Sequence, residues 1–221
     1  MKAMILAAGR GERMRPLTDS TPKPLLQAGK KPIIQRTIEQ LVSSGHTEIV
    51  INIAHLGHKI IETLGSGNQL GASITYSDEG ENALETAGGI INALPILGKE
   101  PFLLVNGDIA SNYDFSQLHN KSFNLAHLVL IPNPAHHPEG DFHLTPSGVT
   151  TVDGNPTLTY SGIGLFNPVL FSDTPAGKVK LAPLLRNAMA QKKVTGEEFN
   201  GFWLDIGTPE RLIEFDNYLN L

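Results

Sequence analysis

Residues 7–24 cannot form a helix or a long strand, and the rest of the chain has to be arranged around them. The segment leaves a short apolar run, Met4-Ile5-Leu6, which reads as a buried strand, and continues as Ala7-Ala8-Gly9-Arg10-Gly11-Glu12-Arg13-Met14-Arg15-Pro16 and on to Pro22-Lys23-Pro24. Pro16, Pro22 and Pro24 lack backbone donors and push the residues before them out of helical backbone angles, so the loop stays long and extended. Gly9 and Gly11 carry no side chains, so backbone N–H groups can approach an anion closely. Arg10, Arg13, Arg15 and Lys23 add cationic donors. Such a loop suits a polyphosphate, over which it would lie as a flap.

Two common phosphate loops are excluded by spacing. No G-x-x-x-x-G-K-[ST] string is present, and the third glycine of a dinucleotide fingerprint is replaced by Met14, with Pro16 where a helix should begin. The formal net charge of −5 sets the loop cations in a neutral-to-acidic body and argues against a general nucleic-acid binder. The absence of cysteine excludes disulfides, thiolate metal sites and a cysteine nucleophile. With 221 residues, 40% hydrophobic and 18% charged, the chain suits one well-buried α/β domain. Met1-Lys2 leads straight into the first strand, and no run approaches the ~20 apolar residues that cross a bilayer. The expectation is a cytoplasmic protein without membrane association, a monomer or a small homo-oligomer.

Beyond the loop the pattern alternates. Pro32 opens a helix with Ile34, Ile38, Leu41 and Val42 on one face, and Gly45 stops it. Strands follow at 48–53, 72–76 and 102–105, separated by a short helix at 58–64 and by a helix at 88–97 with Thr86 as its N-cap. This predicts a parallel sheet with right-handed crossovers, whose ligands bind beyond the carboxyl ends of the strands. The second half is less regular: strands at 125–131, 142–144, 158–160, 163–166 and 202–204, a proline- and histidine-rich loop at 132–140, and helices at 181–191 and 209–218. No internal repeat or linker is apparent. His136-His137 read as loop surface, and Trp203 as core.

Two aspartates end strands beside a glycine: Asp108 in Val105-Asn106-Gly107-Asp108 and Asp205 in Trp203-Leu204-Asp205-Ile206-Gly207. In one cleft they would repel each other by roughly 3 kcal/mol at a separation of ~5 Å and an effective dielectric near 20. A divalent cation removes that cost, and Mg²⁺ takes one or two carboxylates together with substrate phosphates. Glu85-Thr86-Ala87-Gly88-Gly89 puts small residues at a helix start, where a flat base could lie against the backbone.

The string LAAGRGERMRPLTDSTPKPLL resembles the signature of the sugar-1-phosphate nucleotidyltransferases, and the likeness extends over essentially the whole chain. It implies a three-layer Rossmann-like α/β fold with a mixed, mostly parallel central sheet. The whole of 1–221 would form a single nucleotidyltransferase domain, with a nucleotide-binding half over 1–110, a sugar-phosphate-binding half over 111–221 and no C-terminal β-helix. The substrates implied are a nucleoside triphosphate and a sugar 1-phosphate, with pyrophosphate released and Mg²⁺ as cofactor. Arg13, Lys23 and Asp108 would be catalytic, and Asp108 and Asp205 would hold the metal. The nucleotide would be bound by Leu6, Ala8, Gly9, Gly11, Glu12, Arg13, Lys23, Gly80 and Gly88. The sugar phosphate would be bound by Asn106, Gly140, Asp141, Ser161 and Gly162. The Pro138-Glu139-Gly140-Asp141-Phe142 and TYSGIG stretches look like the small bacterial members acting on N-acetylmuramate 1-phosphate with UTP in peptidoglycan recycling. Members that use mannose 1-phosphate with GTP, or glucose 1-phosphate with dTTP or UTP, are the enzymatic alternatives; a nucleotide-sugar-binding regulatory module is the non-enzymatic one. For a muramate carboxylate, Lys178, Lys180 or Arg186 are the candidate cations.

Overall fold

Along the first strand, β1 (Ala3–Leu6), successive side chains enter different cores: Ala3 and Ile5 face one, Met4 the other. That two-residue alternation is the signature of a sheet covered on both faces. In the computed structural model, which describes residues 1–80 and 83–220, the chain continues through β2 (Gln27–Ala28), β3 (Lys31–Pro32), α1 (Ile33–Ser43), β4 (Glu48–Ile53), α2 (Gly57–Leu64), β5 (Ser73–Asp78), α3 (Glu85–Leu97), β6 (Phe102–Asn106) and β7 (Ile109–Ser111). It then forms β8 (Ala126–Ile131), β9 (Phe142–Leu144), β10 (Thr150–Thr151), β11 (Thr157–Phe166), α4 (Leu181–Ala190), β12 (Val194–Glu198), β13 (Trp203–Asp205) and α5 (Pro209–Leu219).

The main sheet runs β10-β9-β11-β6-β1-β4-β5, with β8 paired to β11 and β12 paired to β8. Its β6-β1-β4-β5 part is wholly parallel, β11 joins it antiparallel, and β12 is parallel to β8. Ile34, Ile38 and Leu41 of α1 and Ile60 and Leu64 of α2 cover one face, while Ala87, Ile90 and Ala93 of α3 and Leu185 and Met189 of α4 cover the other. This is the expected three-layer α/β architecture. Burying each such aliphatic side chain contributes about 1.5–3 kcal/mol.

β7 and β13 form a separate two-stranded antiparallel ribbon. It has its own small core, in which Met14 packs with Leu26, Ile33, Ala110, Leu204, Ile206 and Phe215. The ribbon is locked at both ends, by Ile206 N–H donating to Asp108 O at 2.7 Å and Asn112 N–H donating to Phe202 O at 3.1 Å.

Several local expectations are corrected. Thr86 is not an N-cap: α3 starts at Glu85 with no side-chain cap, and the Val179 carbonyl accepts the N–H groups of Ala87 and Gly88 instead. The strands expected at 158–160 and 163–166 are one strand, β11, whose register shifts between Tyr160 and Ile163. Gly162 sits in the shift at φ +81°, where a side chain would be strained and would collide with Asn106. The strands β2, β3, β7, β10 and β12 are too short or too poor in apolar residues to stand out in the sequence.

Candidate active site

The loop after β1 is fixed at two points. Met14 is fully buried in the ribbon core. Gly11, at φ +65°, turns the chain beside Thr18, whose hydroxyl donates to the Gly11 carbonyl at 2.8 Å; a Cβ at Gly11 would lie 3.0 Å from Thr18 Cγ2 and 3.1 Å from Lys23 Cβ. A 3-10 turn at Lys23–Leu25, entered from Pro22, then directs Lys23 inward. Lys23 is 8% exposed, and its Nζ donates to Asp108 Oδ2 at 2.6 Å.

Beside this pair opens a cleft of about 390 Å³, lined by Leu6 at the end of β1, Ala8 and Gly9 of the loop, Glu79, Glu85 and Thr86 around the start of α3, Asn106 at the end of β6 and Asp108 after it. It lies beyond the carboxyl ends of parallel strands, where ligands enter such sheets. Asn52 and Glu79, which sequence reasoning missed, brace it. Asn52 Oδ1 accepts from Ala7 N–H at 2.7 Å and its Nδ2 donates to Glu79 Oε1 at 2.6 Å, while Glu79 Oε2 accepts from Leu84 N–H at 2.7 Å. This chain of bonds joins the loop after β1, the end of β4 and the connection from β5 to α3 around one opening. The signal for Asn52 was present in the sequence: it is a polar residue inside the apolar run Ile49-Val50-Ile51-Asn52-Ile53.

Asp205 approaches from the ribbon. It pairs with Ile109, the residue after Asp108, so the two aspartates emerge from adjoining points of one ladder. Its Oδ1 accepts from Arg211 Nη1 and lies 2.9 Å from His136 Nε2, which is itself 2.9 Å from Arg211 Nη1. A Cβ placed on Gly207 would lie 2.9 Å from Asp205 Oδ2 and 3.1 Å from Arg13 Nη2, which sets Arg13 beside that aspartate. His136 is exposed loop surface as expected, and it also reaches Asp205 and Arg211. Arg211 was missed, although a cation in the first turn of a helix runs against the helix dipole and signals a nearby anion.

The remaining expected residues do not all converge. Gly11, Glu12, Arg13, Gly80, Gly88 and Asp205 stand outside the cleft lining. Gly80 borders a neighbouring depression with Arg10, His55 and His58. Gly88 packs against the 177–179 backbone, where a Cβ would lie 2.1 Å from Gly177 O. Ser161 is 1% exposed, its hydroxyl donating to Val129 O and accepting from Ile163 N–H, so its side chain serves the strand shift. Its carbonyl accepts from Trp203 Nε1 at 2.8 Å, and Trp203 packs against the core as expected. Asp141 accepts from Tyr160 N–H and contacts His137, and Gly140, at φ +63°, packs on Asn133. Lys178, Lys180 and Arg186 are exposed, and among the described residues none of them lines the cleft.

Among the described residues no group of three or more His, Cys, Asp or Glu side chains is assembled for a metal ion. The protein offers two carboxylates, a donor set suited to a hard cation that takes its other oxygens from a phosphate. No helix of the described residues is long and apolar enough to cross a membrane.

Comparisons with known proteins agree with this fold. A family model described as "Nucleotidyl transferase" matches residues 2–220. The chain is 51% identical to the N-acetylmuramate alpha-1-phosphate uridylyltransferase of Neisseria meningitidis, over 97% of this chain and 96% of that one. It is 30% identical to the enzyme of the same name from Caulobacter vibrioides, over 94% and 92%. The fold matches the crystal structure of HddC from Yersinia pseudotuberculosis complexed with GMP-PN, with a TM-score of 0.80 at 19% identity and 99% of both chains covered.

Proposed function

This chain belongs to the nucleotidyl transferase family, and we propose that within it the protein transfers a uridylyl group from UTP to N-acetylmuramate 1-phosphate, releasing pyrophosphate. The observation that carries this reading is the 51% identity over nearly the full length of both chains to a uridylyltransferase of that name. The cleft supplies its physical support: a backbone-lined cavity flanked by cations and carboxylates, able to hold a triphosphate.

In the proposed reaction an oxygen of the sugar phosphate attacks the α-phosphorus of UTP while the bond to the departing pyrophosphate breaks. No protein nucleophile is required, because the attacking group is already an anion. The work left to the chain is positioning and charge neutralisation. Gly9 and its neighbours offer backbone N–H groups to the phosphates, Arg13 and Lys23 neutralise the leaving group, and the Asn52–Glu79 brace keeps the base-side wall in place. Asp108 and Asp205 are the residues that would hold a divalent cation, Mg²⁺ in this reading. Such an ion, when bound, would neutralise phosphate oxygens as a Lewis acid. The 1–110 half would serve the nucleotide and the 111–221 half the sugar phosphate, with Asn106, Gly140, Asp141 and Gly162 on the sugar side.

Pyrophosphate release from each of UTP, dTTP, GTP and ATP, measured against a panel of sugar 1-phosphates, tests this. The highest kcat/KM is expected for UTP with N-acetylmuramate 1-phosphate. A clear preference for another pair would replace the substrate assignment, and nucleotide binding without any pyrophosphate release would replace the enzyme by a binding module.

A further inference from the structure

We infer that Arg211 and His136 are positioning residues for Asp205, holding one carboxylate oxygen so that the other is presented to a divalent cation. This rests on the metal-dependent reading above.

Asp205 is only 20% exposed, and all its side-chain hydrogen bonding among the described residues is at Oδ1. There it meets Arg211 Nη1 and, at 2.9 Å, His136 Nε2. Oδ2 carries no hydrogen bond among the described residues and lies on the side of Gly207, where Arg211 Nη2 and Arg13 Nη2 both stand close to the position of a Cβ on that glycine. The two holders arrive from different elements. Arg211 stands in the first turn of α5, which Thr208 caps and Pro209 opens; His136 comes from the loop between β8 and β9 that also carries Gly140 and Asp141. Arg211 is 14% exposed, so its guanidinium is set in place and not free in solvent. His136 Nε2 lies 2.9 Å from Arg211 Nη1 as well, so with a hydrogen on Nε2 the ring donates to Asp205 Oδ1 and holds it directly, and in the other tautomer it accepts from Arg211 Nη1 and steadies the guanidinium that does. Asp108 has a different arrangement, since its partner Lys23 comes from the phosphate loop itself. The geometry thus gives Asp205 a fixed orientation that its short strand, β13, could not impose alone.

The sign of the effect separates positioning from charge. By charge alone, removing the Arg211 cation would tighten the binding of a metal ion at Asp205. If Arg211 orients the carboxylate, removing it weakens that binding, by about 10-fold or more, as is usual for partners that hold a metal-binding carboxylate. The test is calorimetric binding of Mn²⁺–UTP, and of UTP in EDTA, to the full chain and to Arg211→Met, Asp205→Asn and the double variant. Binding of Mn²⁺–UTP should weaken about 10-fold in Arg211→Met, with UTP in EDTA unchanged and no further loss when Arg211→Met is added to Asp205→Asn. Arg211→Lys and His136→Gln, which keep a charge or a polar ring-sized group, should show the same selective loss to a smaller extent, and they carry the test if Arg211→Met does not fold. The inference is overturned by unchanged or tighter Mn²⁺–UTP binding, by an equal loss for metal-free UTP, or by an undiminished effect in the Asp205→Asn background. Selective loss of Mn²⁺–UTP binding without any turnover in the parent protein would leave the inference standing and remove the proposed activity.

Discussion

Lys23 and Asp108, 85 positions apart in the chain, meet through a 2.6 Å contact between Nζ and Oδ2 at the wall of the cleft. The contact closes the loop after β1 onto the end of β6 and sets a cation and a carboxylate where phosphates would lie.

Because Asp108 keeps 37% of its side chain exposed, it can be resolvated when its partner is removed, and Lys23→Ala should fold. The expected loss is catalytic: about 3 kcal/mol of transition-state stabilisation, or a hundredfold in turnover. Pyrophosphate release together with far-ultraviolet circular dichroism checks this. Turnover within a few-fold of the parent would take Lys23 out of the chemistry.

Asn52 spans two loops with both ends of its amide, so Asn52→Ala leaves Ala7 N–H and Glu79 Oε1 without their partner. Orphaning buried polar groups costs about 1–3 kcal/mol. The expected outcome is a urea midpoint lowered accordingly, with the KM for nucleotide raised more than that for the sugar phosphate. An unchanged midpoint would mean that water replaces the amide without cost.

Met14 fastens the loop into the ribbon core, and the neighbouring Arg13 depends on it. Met14→Ala should destabilise by about 2–5 kcal/mol if the cavity does not collapse. Its kcat should also fall at temperatures well below the unfolding transition, because Arg13 loses its place beside Asp205. Thermal melts and kinetics on the same preparation check both. A melt shifted downward with unaltered kcat would confine Met14 to packing.

Glu197 lies away from the cleft, accepting from Tyr113 at 2.5 Å and contacted by Lys121 and His127. Burial alone would raise its carboxyl, but the hydrogen bonds from His127, Lys121 and Tyr113 outweigh it and hold the group at about 2. With the folded-state value below the unfolded one, the stabilisation is present in full above the ordinary carboxylate range, near 4.5, and fades as the pH falls towards 2. The stability gap between the parent and Glu197→Gln, measured by denaturant unfolding, should therefore be widest at neutral pH and narrow by pH 3.5. A gap that stays constant would mean that the cluster does not depress this carboxyl.

The sequence was most legible where burial is two-sided. β1, β4 and β6 are apolar runs on both faces, and α1 shows its stripe of Ile34, Ile38 and Leu41, so their place in the fold follows from local pattern. Lys23, Asp108 and Asp205 stood out as candidates because each lies beside a proline or glycine that breaks regular structure, and the close approach of Gly107 to Leu6 O shows that such a glycine also serves packing. β12 was not: Val-Thr-Gly-Glu-Glu has two β formers followed by a glycine and two acids, and it is a strand because β8 offers a free edge and the Glu197 cluster ties it down. The N-cap expected at Thr86 fails because the N–H groups at the start of α3 are taken by the carbonyl of Val179, some ninety residues later. His136 and Arg211 are 75 positions apart, and their meeting at Asp205 is a property of the folded loop alone.

The ribbon of β7 and β13 has a final consequence. The chain departs from it at Asn112 and returns at Phe202, two residues joined by a backbone hydrogen bond, so everything between is an excursion with a common door. The distance between the two acids is set by the hinge posts of that door and not by the length of the excursion. Insertions and deletions along the excursion accordingly leave the spacing of Asp108 and Asp205 unaltered as long as the ribbon and its closing bond are kept.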